Sequence, residues 1–354
     1  MKELKILAVV VFFSLVTYWL VEPYAHGIMH KHIDSKNFVY DGSDDIVEVE
    51  NIIAKLESDK INVEKIDKDA EKEKARLAII AKSIVSAETR LETKKTFFAD
   101  VKRISAINGD STAGEAAYGS CTGCHYDGAG AMGGVTPPVL TNAGAIYDKD
   151  YLIGIIKDPA MISNVDHKFN ETRLHPMENV KYMVSSDEDI ANIVAYMLSV
   201  APKAEDITPA MAFEDACSRC HSMDYLNWTE LGSKPDFKTE IDALTYDLKV
   251  LEYQDSLKAY MGKLPPDLSM QVLARGETRI RNFIENPQSY LPGTAMPRVG
   301  VTEDTAEKII EYMADSADSK RHQRDQVGKY VIYFSIIFAI LAILWKKQVW
   351  RDLK

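Results

Sequence analysis

Cys121-Thr122-Gly123-Cys124-His125 decides the reading of this chain, and its pattern returns as Cys217-Ser218-Arg219-Cys220-His221. All 4 cysteines of the sequence lie in these two C-x-x-C-H units. The spacing suits covalent haem attachment. Two thiols add to the haem vinyl groups as thioethers, and the adjacent imidazole stands where it can bind the iron. A thioredoxin-like dithiol, half a zinc site and a disulfide are the other readings of C-x-x-C. A trailing His on both copies, with no spare cysteine, favours two covalently bound haems c.

Outward from these units the sequence repeats itself. Pro137-Pro138-Val139-Leu140 follows the first, and Pro265-Pro266-Asp267-Leu268 follows the second. From Pro137 to Pro159, and from Pro265 to Pro287, the separation is the same 22 residues. The matching segments there are Ile155-Ile156-Lys157-Asp158-Pro159 and Phe283-Ile284-Glu285-Asn286-Pro287. A Met, a polar turn and an amphipathic helix close each copy, the helices running over Ile190 to Leu198 and Thr305 to Met313. Ser or Thr followed by acidic residues marks their starts, because such side chains cap free N–H groups and favour the helix dipole. The second copy carries an extra, mostly helical stretch, about Asn227 to Lys263, with Ile241, Leu244, Leu248 and Leu251 in a helical stripe.

Each iron takes its fifth ligand from His125 or His221. A Met thioether in the sixth position raises the potential and closes the iron to substrates. Met177 and Met296 occupy equivalent places before the closing helices. Met161, Met183, His167 and His175 are nearby rivals, and Met is more often core filler. Pro138 and Pro266 read as rigid turns and also as carbonyl acceptors for the proximal His N–H, which fixes ring orientation.

Two uncharged runs of 16 residues, Ile6 to Val21 and Tyr330 to Trp345, stand near the chain ends. Flanking lysines and interfacial aromatics extend both toward the ~20 residues of a span. The first reads as a retained anchor, or as a signal peptide without a small-x-small cleavage site. Lys2 and Lys5 hold the N-terminus in the cytoplasm, which sends the middle of the chain across and returns the tail. The expected localisation is a bacterial inner membrane, with haem domains on the periplasmic side and both termini cytoplasmic. Between Gly42 and Gly109 there is neither Gly nor Pro. Leu77, Ile80, Ile84, Ala87, Leu91, Phe98 and Val101 keep a 3-4 spacing broken by Lys94. This predicts a long charged helix with a shorter partner around Ile46 to Leu56, either packed on the rest as a hairpin or free as a docking arm. His26, His30 and His32 cluster just beyond the first run, as interfacial histidines or a metal site. A net charge of −11 disfavours nucleic acid and suits a basic redox partner.

The expected fold is all-α. It has an anchor over 1–24, a charged helical arm over 25–105, haem domains over 106–203 and 204–318, and an anchor with a tail over 319–354. Each haem repeat resembles a class I cytochrome c domain. The second more specifically resembles cytochrome c1, the haem subunit of the cytochrome bc1 complex. The residues that carry this are Cys217-Ser218-Arg219-Cys220-His221-Ser222-Met223, Leu264-Pro265-Pro266-Asp267-Leu268-Ser269, Ala274-Arg275 and the anchor ending Lys346-Lys347-Gln348-Val349-Trp350-Arg351. The chain looks like a two-haem bacterial variant of that family. The resemblance implies that Arg275 contacts a haem propionate. It implies cytochrome b and a Rieske iron–sulfur protein as partners, a cytochrome c or terminal oxidase as acceptor, and a dimeric complex. Electrons would then pass from the Rieske cluster to the second haem and on to the first, and the chain itself would make and break no bonds. Alternatives are a haem subunit of a terminal oxidase or membrane dehydrogenase, a dihaem peroxidase and a haem sensor. A peroxidase needs an open iron, against which two Met candidates speak, and a sensor wants a cytoplasmic domain.

Overall fold

The structure, a computed structural model, describes residues 2–17, 21, 24, 38–66, 71–169, 173–184 and 186–351. The His26, His30 and His32 cluster lies outside them. The chain divides into residues 1–37 and residues 38–354. The first unit contains α1 (Lys2–Val16), an apolar helix of 15 residues. Residues 18–20 of the expected anchor fall outside the described set.

The second unit is almost wholly helical. An arm of α2 (Ser43–Ile66) and α3 (Glu71–Ser105) comes first, packed as a hairpin. The partner helix is longer than the Ile46 to Leu56 that its apolar residues mark, because charged residues continue it with no breaker. The first repeat follows, with α4 (Ser111–Tyr118), α5 (Lys149–Lys157) and α6 (Asp187–Val200). The second has α7 (Pro209–Ala216), α8 (Glu240–Met261), α9 (Glu277–Glu285) and α10 (Glu303–Ala317). A two-stranded ribbon, β1 (Trp228–Thr229) against β2 (Gly232–Ser233), interrupts the all-α expectation in the inserted stretch. The last helix, α11 (Arg321–Arg351), is by length and composition able to cross a membrane.

Capping sets the helix starts. Ser186 Oγ accepts from Asp189 N–H at 3.0 Å, and Thr302 Oγ1 from Thr305 N–H at 3.3 Å. Each satisfies a donor that the first helical turn leaves free. In the first repeat α4 crosses α6, and in the second α7 packs on α10. The first crossing is close because of Gly114, where an added Cβ would lie 1.9 Å from the Asn192 carbonyl oxygen.

Two expectations about apolar faces are corrected. Ile241, Leu244, Leu248 and Leu251 of α8 are exposed, while Val250, Tyr253 and Leu257 on another face are buried. The periodicity found a helix but chose the wrong face, because Tyr253 and Val250 meet the rest of the protein. Lys94, which breaks the apolar spacing of α3, is itself buried with 1% exposure beside Phe97, Phe98, Val101 and Ile104. The C-terminal half of α3 is therefore part of the core, so the arm is packed at its base.

Lys94 is tolerated because a polar network surrounds it. Its ammonium donates to Asn164 Oδ1 at 3.0 Å and lies 3.6 Å from Asp45. Asp45 in α2 takes both arms of the Arg298 guanidinium at 2.8 and 2.9 Å, and neither side chain is exposed by more than 1%. Burial alone would raise the Asp45 pKa, but Arg298 and Lys94 outweigh it and hold the carboxyl below its ordinary range. Lys94 nevertheless moves down, as its desolvation exceeds the pull of Asp45. Arg298 takes the bidentate geometry, and Lys94 shares what remains of the carboxylate. The network joins the arm, the Ser163–Asp166 turn and the segment after Met296.

Candidate haem attachment sites

Both C-x-x-C-H units fold alike. Cys124 N–H and His125 N–H donate to the Cys121 carbonyl at 3.1 and 3.0 Å. Cys220 and His221 do the same to Cys217, each at 3.1 Å. This turn brings the two thiols and the imidazole of each unit together. It follows α4 in one repeat and α7 in the other. All four cysteines are free. Burial pushes the Cys121 thiol up and the Cys217 thiol up to about 12, so they remain neutral.

The imidazoles are fixed in the same way. His125 Nδ1 lies 2.7 Å from the Pro138 carbonyl oxygen, and His221 Nδ1 lies 2.8 Å from that of Pro266. A Pro carbonyl can only accept, so each ring donates through Nδ1 and keeps the Nε2 lone pair for a metal. Burial lowers the pKa of both rings, although the Pro carbonyls pull the other way. The neutral imidazole is the ligating form. The sequence distance from His to Pro is 13 residues in the first site and 45 in the second. The insertion with the ribbon and α8 loops out without changing this contact.

Asp267 shows what the Pro-Pro-Asp-Leu-Ser unit does locally. Its carboxylate accepts from Asp224 N–H at 2.8 Å and from Ser269 N–H and Oγ, both at 3.0 Å. Leu268 N–H donates to the Ser222 carbonyl at 3.0 Å. The unit is thus clamped onto the residues just after His221. Arg275, at the end of the short helix that follows, is exposed and donates to Gln271 Oε1 at 3.0 Å.

Met177 and Met296 both lie half-buried in loops ahead of the closing helices. The N–H of Met177 donates to His175 Nδ1 at 3.1 Å. His175 is enclosed against Phe169, and burial brings it down to about 4. Of the rivals, Met183 is 62% exposed, Met161 is packed in the core and His167 is exposed. Met296 N–H donates to Thr294 Oγ1 at 3.3 Å. The chain beyond it is stitched to the first repeat. Asp148 N–H donates to the Gly300 carbonyl at 2.9 Å, and Thr302 N–H to that of Ile146 at 3.0 Å. Gly300 has φ +80, and an added Cβ there would lie 2.1 Å from the Tyr151 ring, so only glycine fits.

Paired free thiols, a turn that gathers them, and an imidazole held through Nδ1 make a donor set that fits covalent haem c at both units. Residues 111–201 match the cytochrome c family model. That stretch holds a cytochrome c domain, and covalently bound haem c goes with it. The cytochrome c domain contains Cys121, Cys124, His125, Pro138 and Met177. No curated protein matches the chain. A solved chain titled "Hyperthermophilic respiratory Complex III" is similar over 41% of this chain and 75% of its own length, at 26% identity and a TM-score of 0.33.

Sequence reasoning passed over Arg298, Asp45, Arg219 and Asp215. Arg298 stands two residues after Met296, but its partner Asp45 is 253 positions away and no local pattern links them.

Proposed function

We propose that the chain is a membrane-anchored dihaem cytochrome of the cytochrome c1 type. It would serve as the electron-transfer subunit of a quinol–cytochrome c oxidoreductase, between a Rieske iron–sulfur protein and a cytochrome c or terminal oxidase. The observation that carries the two-haem reading is the paired His-to-Pro contact, 2.7 and 2.8 Å, within identical C-x-x-C-H turns. The c1 assignment rests on Pro265-Pro266-Asp267-Leu268-Ser269 and on the apolar C-terminal helix α11. On this reading the domains are the two anchors, the arm over 25–105, and cytochrome domains over 106–203 and 204–318. The haem-bearing part faces the periplasm.

Bound haem supplies reversible one-electron chemistry at iron. The chain's own residues tune it. Cys121, Cys124, Cys217 and Cys220 hold the groups covalently. Pro138 and Pro266 orient His125 and His221 and make them better donors. Met177 and Met296 are the proposed sixth ligands, Met296 positioned by the segment that Arg298 anchors. Pro159 and Pro287 open matching short helices, Pro159–Ile162 and Pro287–Tyr290, just after α5 and α9.

Purification in mild detergent tests the complex assignment. The account expects a cytochrome b and a Rieske protein to accompany the chain. Recovery with an oxygen-reducing oxidase instead would replace it with the terminal-oxidase reading.

A further inference from the structure

Arg219 is the third residue of the second attachment unit, yet it is built into the surroundings of the first. Its carbonyl accepts from the Tyr253 hydroxyl at 2.7 Å. The same hydroxyl accepts from Thr136 N–H at 3.1 Å, and Thr136 opens the Pro137-Pro138 turn that holds His125. From the other side, Asn142 donates to the Asp215 carboxylate at 2.8 Å, and the Tyr147 hydroxyl donates to the Asp215 carbonyl at 3.1 Å. The start of the second unit is thus docked on the first repeat at two points.

The Arg219 side chain is half-buried there. Its Nε is buried and has no hydrogen-bond partner. Among the described residues it makes no ion pair. Its charge is felt at Tyr147, Cys220, Tyr151 and Tyr253. Asp215 also feels it, but that carboxylate is taken by Asn142. A half-buried cation whose Nε is shielded from water and left unpaired would be better satisfied by an anion. Haem brings two carboxylates of its own, the propionates.

The repeat register points to the same place. Nine residues separate Pro138 from Tyr147, and nine separate Pro266 from Arg275. The second repeat has a cation at this register position, and the first has a neutral tyrosine. The charge of Arg219 reaches that tyrosine, and the carbonyl of Asp215, four residues before Arg219, takes its hydroxyl. We propose that Arg219 binds a propionate of the haem attached at Cys121 and Cys124, supplying from the second repeat the cation that the first repeat lacks.

The proposal rests on both units carrying haem, as proposed above. The test uses the full-length holoprotein in detergent, with haem content and an optical redox titration measured on each variant. Wild-type protein should hold two covalent haems and titrate as two one-electron components. In R219Q both haems should remain, and one component should shift to lower potential, since a cation near the haem disfavours the oxidised form. That component should be the one Met296→His leaves unmoved. R219K keeps the charge and should stay near the wild type in potential, while the propionate bending mode in its resonance Raman spectrum should shift, because the planar fork is lost. If R219Q does not fold, the Raman comparison with R219K decides. Two retained haems with unmoved potentials, a shift confined to the Met296 component, or an unmoved propionate mode in R219K would each overturn the proposal and leave the two-haem reading standing. One haem per wild-type chain would overturn both.

Discussion

Asp45→Ala removes the carboxylate on which two buried cations converge. Arg298 has 0% and Lys94 1% exposure, and Asp45 meets them at 2.8 and 3.6 Å. After truncation Arg298 keeps the carbonyls of Glu285 at 3.1 Å and Ile162 at 3.2 Å, and Lys94 keeps Asn164, but both lose the carboxylate that pairs with them. Breaking a buried pair by deleting one partner costs about 3–5 kcal/mol, mostly through the stranded charge. For a body of this size that lowers Tm by roughly 10 °C. Far-UV circular dichroism in detergent reads it. The loss should depend on pH in one direction. The Asp45 pKa lies below its ordinary 3.8 in the fold, so its stabilisation is complete above 3.8 and disappears as pH falls through the folded value. The wild type and Asp45→Ala should therefore converge in strong acid. A difference of less than about 1 kcal/mol at neutral pH, the ordinary range for surface changes, would show that the network is not what fastens the arm to the body.

Other expected outcomes follow from single contacts. Gly114→Ala should destabilise by about 1–3 kcal/mol, as the new methyl meets the Asn192 carbonyl and pushes α4 off α6; an unchanged denaturation midpoint would refute the close crossing. Glu285, buried and raised to about 7 by desolvation, binds its proton more tightly folded than unfolded, so stability should decline as pH rises from 4.5 to 7. Glu285→Gln should remove that decline, and urea midpoints across the range check it. Met296→His should lower the potential of one haem in a redox titration, and no change would rule Met296 out as its ligand.

The C-x-x-C-H turns and their His-to-Pro contacts were legible because they are local. Two thiols and an imidazole within five residues, followed by a Pro turn, need only short-range geometry, and the repeat doubled that signal. The closing helices were legible from Ser186 and Thr302 with the acids behind them, since capping is also local. What joins the parts was not. Lys94 looked like a break in an apolar stripe because its partners, Asp45 and Asn164, lie in other elements. The stripe of α8 misled in the opposite sense: period alone says that a helix has an apolar face, not which face finds a neighbour. In the sequence Arg219 is simply one residue of the second attachment unit. Its meaning comes from α7 docking through Asp215 on Asn142 and Tyr147, a contact between repeats that no spacing rule contains.

The central claim is that this one chain carries two covalent haems. Intact-mass spectrometry of the denatured chain, paired with Cys121→Ala, tests it most directly. The account predicts two haem masses on the wild-type polypeptide and one on the variant. A wild-type chain with one haem or none would contradict it.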